Sequence, residues 1–137
     1  MLRGTTLMIA DTSFLIDLMR EHKGVLAKLS EIERESRRQF LASPSVFELA
    51  VGVAMSDLPE KEKTKIFGVI ESFSIIPLTF ESTWRVGLEL GELYNKGKSV
   101  DPIDGQIAGI ALEYNEPIVT RNVTHFNRFP RLKVESY

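Results

Sequence analysis

An α/β fold built on a mainly parallel sheet is predicted by three observations. Short apolar runs alternate with helix-periodic stretches along the whole chain, several of those runs end on an acid or amide, and no tandem repeat or low-complexity segment breaks the series. Runs of this kind read as buried strands, and their alternation with helices implies βα units that cover both faces of the sheet. At 137 residues the chain has the usual size of one domain, so a single domain over 1–137 is expected.

Leu7 to Ala10 has the length of a strand, and Phe14, Leu15, Leu18 and Met19 follow it at helical spacing. Val25, Leu26, Leu29 and Ile32 continue with an apolar stripe of period 3.6, after which Gln39 to Ala42 reads as a second strand. Ser43-Pro44 signals a helix start, with Val46, Leu49, Ala50 and Val53 on one face. Ser56-Asp57-Leu58-Pro59 interrupts that pattern, and a further helix from near Pro59 carries Ile66, Val69, Ile70 and Phe73. Ser74-Ile75-Ile76-Pro77-Leu78 reads as a third strand stopped by proline. Phe80 to Lys96 is helical through Trp84, Leu88 and Tyr94 and ends at Gly97, with Phe80 and Trp84 expected to pack the helix. In the next helix Ile103, Ile107, Ile110 and Tyr114 stand opposite the small residues Gly105, Ala108, Gly109 and Ala111, which permit close approach of a neighbour. Pro117 to Thr120 and Leu132 to Val134 complete the strands, with His125 in a loop between them.

Composition narrows the function. Hydrophobic residues make up 43% and charged residues 26%, and no apolar run reaches the roughly 20 residues of a membrane helix, so a soluble chain is expected. The first residues, 1–6, hold one basic residue and Asp11 interrupts the apolar run behind them, which predicts no export and a cytoplasmic location. Absence of cysteine excludes disulfides, thiolate zinc sites and cysteine nucleophiles. A net charge of −2 and a pI near 5.7 exclude a generally basic nucleic-acid binder. The runs Arg34, Arg37, Arg38 and Lys61, Lys63, Lys65 read as solvated helix faces.

In a parallel α/β sheet the site lies beyond the carboxyl ends of the strands, at a topological switch point. Asp11 and Asn122 fall there directly after strands, and Glu48 and Asp104 fall in what read as first helical turns opening on the same edge. Each acid taken alone also reads as a cap: Asp11 ahead of Thr12 and Ser13, Ser45 to Glu48 and Asp101 to Asp104 as capping boxes. Taken together, three carboxylates at one edge would repel unless a cation intervened, and magnesium favours such oxygen ligands.

Ile9 to Ser13, Phe47-Glu48-Leu49, Asp104 to Ala108, and Ile118 to Asn122 with His125-Phe126 occur in the order and approximate spacing of the PIN-domain family. The chain is most similar to VapC-type toxin ribonucleases of toxin-antitoxin pairs. The resemblance covers almost the entire chain and implies a three-layer α/β/α fold, Mg2+- or Mn2+-dependent cleavage of RNA to 5′-phosphate and 3′-hydroxyl ends, homodimerisation, and inhibition by a VapB-like antitoxin. Asp11, Glu48 and Asp104 match the family's three acidic positions, where they would serve as catalytic residues and metal ligands. The fourth position, commonly Asp, holds Asn122, which can offer a carbonyl oxygen but no charge; Asp101, one turn before Asp104, is a further ligand candidate or an ordinary helix start. Thr12, Ser13 and Thr120 carry hydroxyls able to orient a carboxylate or to cap a turn. Arg121 adjoins the site as a phosphate contact or an exposed charge.

A different class of function remains open: a PIN-like RNA-binding or protein-interaction module that has lost catalysis, motivated by Asn122. A haloacid-dehalogenase-type phosphotransferase expects an Asp where Ser13 stands, and a dinucleotide-binding domain expects a Gly-x-Gly-x-x-Gly that is absent.

Overall fold

The computed structural model describes residues 7–137. Residues 1–6, on which the export reading partly rests, lie outside the described residues. The chain runs β1 (Leu7–Ala10), α1 (Thr12–Met19), α2 (Lys23–Arg34), β2 (Arg38–Ala42), α3 (Ser43–Met55), α4 (Pro59–Ile70), β3 (Ser74–Ile76), α5 (Phe80–Asn95), α6 (Pro102–Tyr114), β4 (Ile118–Val119), α7 (Val123–Phe126) and β5 (Val134–Glu135). The five strands pair in parallel in the order β3-β2-β1-β4-β5. Strand order therefore reverses at β1, which lies between β2 and β4.

Alternation along the strands creates the three layers. Met8 and Ala10 face one core with Leu41 and Val119, while Ile9 faces the other with Ala42, Ile76 and Ile118. A strand's period of two sends neighbouring side chains to opposite faces, so both faces need a helical cover. The first core is closed by Phe14 and Leu15 of α1, Val25 and Ile32 of α2, Leu49 of α3 and Ile66 of α4. The second is closed by Val86, Leu90 and Leu93 of α5, by Ile107, Ala108, Ile110 and Ala111 of α6, and by Phe126.

Several expectations shift. Strand β3 ends at Ile76 rather than Leu78, and β5 lies at Val134–Glu135 rather than beginning at Leu132. His125 belongs to the short helix α7 rather than to a loop. On α5 the exposed stripe is Phe80, Trp84 and Leu88, and the buried one is Ser82, Val86, Leu90 and Leu93. The helix was legible there but its inner face was not, because the larger apolar side chains point outward. Phe80 and Trp84 stack on each other with ring centroids 6.2 Å apart. The capping box at Ser45 to Glu48 is not formed: α3 begins at Ser43 with no side-chain cap, which puts Glu48 one turn deeper. The first turn of α6 is capped by Asp101, whose carboxylate accepts from the backbone N–H groups of Ile103 and Asp104. Among the described residues no helix is long and apolar enough to cross a membrane.

The small residues of α6 allow α5 to approach closely. A Cβ on Gly109 would lie 2.9 Å from the Ser82 carbonyl oxygen and 2.9 Å from Val86 Cβ, and one on Gly105 would lie 2.7 Å from Leu90 Cδ1. Gly68 of α4 has open space at the same position. Gly109→Ala is therefore expected to destabilise by about 1–3 kcal/mol through overpacking, and Gly68→Ala to stabilise by about 0.5–1 kcal/mol through helix propensity. Urea melts of both variants check this, and the same sign of change in both would overturn the packing argument.

Candidate functional site

Four chain segments meet where strand order reverses. Backbone N–H of Asp11 donates to the Val119 carbonyl at 3.4 Å, which sets the ends of β1 and β4 side by side. The Asp11 residue is 2% exposed. Its Oδ1 accepts from Phe14 N–H at 3.0 Å, its Oδ2 from the Thr120 hydroxyl at 2.7 Å, and Ser13 Oγ lies within 2.9 Å of both oxygens. Thr120 in turn accepts from Asn122 N–H at 2.8 Å. Asp11 is thus the helix cap that its position allowed, and at the same time part of the wall of a cleft.

That cleft, about 460 Å³, is lined by Asp11, Thr12, Ser13 and Ile16 of the first unit, by Glu48, by Ser99 to Asp101 and Asp104, and by Arg121, Asn122, His125 and Arg128. Every residue singled out from the sequence lines it except Thr120, which is buried beneath Asp11. Glu48 reaches it from the second turn of α3, where Thr12 Oγ1 donates to its Oε1 at 2.5 Å and stands 3.0 Å from Ser45 Oγ. Asp104 sits in the first turn of α6, with His125 Nδ1 3.8 Å from its Oδ2.

The acids feel one another. Burial pushes the Asp104 carboxyl up to about 6, with the charges of Asp101, Asp11 and Glu48 adding to the rise and His125 opposing it. Glu48 is raised by burial and by the charges of Asp101 and Asp11, against the Thr12 hydrogen bond. Asp11 is raised by burial, which its hydrogen bonds from Thr120, Phe14 and Ser13 offset only in part.

Three participants were not foreseen. Arg128 lines the cleft and donates to the Ser99 carbonyl oxygen. His125 reaches the same wall because α7 turns it inward. Asp17, 2% exposed, lies behind the cleft and accepts from Arg121 Nη1 at 2.7 Å. Its signal was available as a carboxylate inside the apolar stretch Phe14 to Met19; Arg128 had none without α7.

The PIN domain family model matches residues 8–132. The chain belongs to the PIN-domain family. As a PIN domain it is 30% identical over 131 residues to Ribonuclease VapC of Rickettsia bellii, covering 93% of each chain. It is 29% identical over 100 residues to the tRNA(fMet)-specific endonuclease VapC of Salmonella typhimurium, covering 73% of this chain and 76% of the relative. VapBC2 of Rickettsia felis, solved bound to a promoter DNA fragment, superposes with a TM-score of 0.87 at 24% identity over 96% of this chain and 99% of that one, a likeness of fold.

A divalent cation is the group that a PIN domain's acids lead one to expect. The donor set here is carboxylate, amide and hydroxyl oxygen with no thiolate, which suits a hard cation that keeps waters. Among the described residues, however, no group of three or more Asp, Glu or His side chains is gathered closely enough to hold an ion as it stands. Asp11 instead turns its oxygens onto Thr120, Ser13 and Phe14, and Glu48 turns onto Thr12. The residues fit the ion in the chemistry of their donor set.

Asp104 binds more protons folded than unfolded between its ordinary value of 3.8 and about 6, so stability falls as pH rises through that window and the loss is complete above it. Asp104→Asn is therefore expected to stabilise the metal-free protein by about 1–2 kcal/mol at neutral pH, after allowance for solvent screening, and to change it little near the bottom of the window. Denaturant melts at the two pH values decide, and an equal shift at both would refute the electrostatic origin.

Proposed function

We propose that this PIN domain is an Mg2+- or Mn2+-dependent endoribonuclease, the toxin of a VapBC-type pair. The observation that carries the reading is the cleft at the strand switch point, which Asp11, Glu48 and Asp104 line together, with Asp104 raised by burial and by the charges of its acidic neighbours, and with Arg121, His125 and Arg128 around them. A wall of acids bordered by cationic side chains suits a phosphodiester held between a cation and guanidinium groups. The two curated VapC relatives are named a ribonuclease and a tRNA(fMet)-specific endonuclease, which supports RNA as the substrate class.

In this mechanism Asp11, Glu48 and Asp104 hold the cation, with Asp101 and Asn122 within reach of the same cleft. When bound, the ion supplies charge neutralisation at the scissile phosphate and acidifies a water for in-line attack. The chain's own residues do the rest. Ser13 and Thr120 keep the Asp11 carboxylate oriented, Thr12 orients Glu48, and Arg121 receives phosphate. Asn122 offers an oxygen without charge, which favours firm retention of one cation over two.

Two protein partners complete the reading. A groove of about 590 Å³ between α1, α3 and α4 shares Thr12, Ile16 and Glu48 with the acid cleft, so a VapB-like antitoxin lying in it would reach the acids. The exposed Phe80, Trp84 and Leu88 of α5 lie on the opposite layer and suit a second copy of the chain, in a cytoplasmic homodimer. Trp84→Glu is expected to shift sedimentation from dimer to monomer while cleavage per chain stays within about threefold; an unchanged mass would place the dimer elsewhere.

A second reading, a PIN-like module without turnover, is favoured by Asn122, which offers no charge where the family commonly has an acid. A mixed RNA pool incubated with Mg2+ or Mn2+, followed by end sequencing, separates the two. The native chain is expected to leave 5′-phosphate and 3′-hydroxyl ends, and Asp11→Asn and Asp104→Asn to lose at least about 100-fold in rate while remaining folded. Saturable RNA binding without turnover would give the decision to the module.

A further inference from the structure

Asp11 and Asp17 are the two buried acids among the described residues, and only Asp11 lines the acid cleft. A carboxylate withdrawn from water is costly unless it is paired and hydrogen-bonded. Asp17 has both kinds of partner: Oδ1 accepts from Arg121 Nη1 at 2.7 Å and Oδ2 from the Tyr137 hydroxyl at 2.5 Å. The Tyr137 ring is itself held edge-on against Phe14, with centroids 5.3 Å apart. Arg121 is fixed a second time through its backbone N–H, which donates to Ser13 Oγ at 3.3 Å.

We propose that Asp17, backed by Tyr137, is a positioning residue that holds the Arg121 guanidinium at the lip of the acid cleft, where it receives an RNA phosphate. The inference rests on the ribonuclease reading above. An arginine beside four acids would ordinarily collapse onto them and occupy the oxygens that a cation needs. Here the only ion pair of Arg121 among the described residues is with Asp17, although Asp11, Glu48, Asp101 and Asp104 line the same cleft. The Arg121 side chain stays 49% exposed and its hydrogen bonding inward uses Nη1 alone. Nη2 and Nε are left to present the planar fork that matches a phosphate. Asp17 thus competes for Arg121 from behind and keeps the front of the cleft clear.

The test uses the full chain and a labelled mixed-sequence single-stranded RNA, with calcium in place of magnesium so that binding is read without turnover. Native protein, Asp17→Asn, Arg121→Ala and the double variant are titrated across a salt series. Asp17→Asn is expected to weaken binding about 5–10-fold and to lower the log–log salt slope by about 0.7, as Arg121→Ala does, because each loses one phosphate contact. The double variant should bind no more weakly than Arg121→Ala, and in magnesium KM should rise about 5–10-fold with kcat held within about twofold. A structural role alone would lower the melting temperature with affinity and slope unchanged, or would make the two losses additive, and either result overturns the inference. Tyr137→Phe, which leaves the ion pair intact, is expected to weaken binding about two- to threefold with the same non-additivity against Arg121→Ala, and it carries the decision should Asp17→Asn fail to fold. Native protein that binds RNA with this pattern but cleaves none in magnesium or manganese would sink the ribonuclease reading and leave the positioning role; cleavage without the pattern would sink the positioning role alone.

Discussion

Burial of the Asp11 carboxylate is the constraint on which the rest of the site depends. A charge with 2% exposure survives only if its lone pairs are occupied, and the groups that occupy them come from two places: the first turn of α1, through the Phe14 N–H and the Ser13 hydroxyl, and the end of β4, through the Thr120 hydroxyl. Satisfying one acid therefore sets the junction of β1 with α1 and its register against β4. The effect propagates through Thr120, which accepts from Asn122 N–H and so fixes the entrance to α7, the element that turns His125 and Arg128 towards the acids. Few hydrogen bonds tie so much of the catalytic edge together.

The two edges of the sheet treat carboxylates in opposite ways. At the edge away from the cleft, Glu135 is pushed up by burial but held below its ordinary value by hydrogen bonds and charge from Arg37 and Lys28, with Arg37 Nη2 2.7 Å from its Oε2. Those charges are matched, and they tie β5 back to α2 and β2. At the cleft all three acids rise, Asp11 by burial alone, and Glu48 and Asp104 by burial and by the charges of neighbouring acids. Arg121, which lines the same cleft, pairs with Asp17 instead. A fold that pairs its acids at one end and leaves them raised at the other gives up some stability near neutral pH, a cost that the proposed cation would offset.

Legibility followed the physics of each element. Periodicity and capping residues located α1 to α6 and the three central strands, because buried runs such as Leu7 to Ala10 and helix starts such as Ser43-Pro44 and Asp101-Pro102 are local signals. The acids were legible for the same reason: each stands at the end of a strand or near the start of a helix, and a parallel sheet brings those ends to one edge. What could not be read was which way a side chain points once an element exists. Glu48 read as a first-turn cap and lies one turn deeper, since α3 begins earlier and uses no side-chain cap. Arg128 and Asp17 enter through tertiary placement, the first by a helix of a single turn and the second by the burial of a polar position on α1.

The same limit explains the outer faces. Phe80, Trp84 and Leu88 on α5 and Phe47, Val51 and Met55 on α3 repeat at four-residue intervals, and all six side chains are exposed. Their helices bury other residues instead, Ser82, Val86, Leu90 and Leu93 on one and Pro44, Ser45 and Leu49 on the other. Helix period alone selects the aromatic stripe of α5 as the core, but the close approach to Gly105 and Gly109 of α6 is made by Ser82, Val86 and Leu90, a face that carries no aromatic ring. Bulky apolar stripes left in water on two different layers are a solubility cost unless something covers them. The proposed assembly offers an answer for each layer: a second copy for α5, and for the α3 layer an antitoxin whose binding would be continuous with the acid cleft through Glu48.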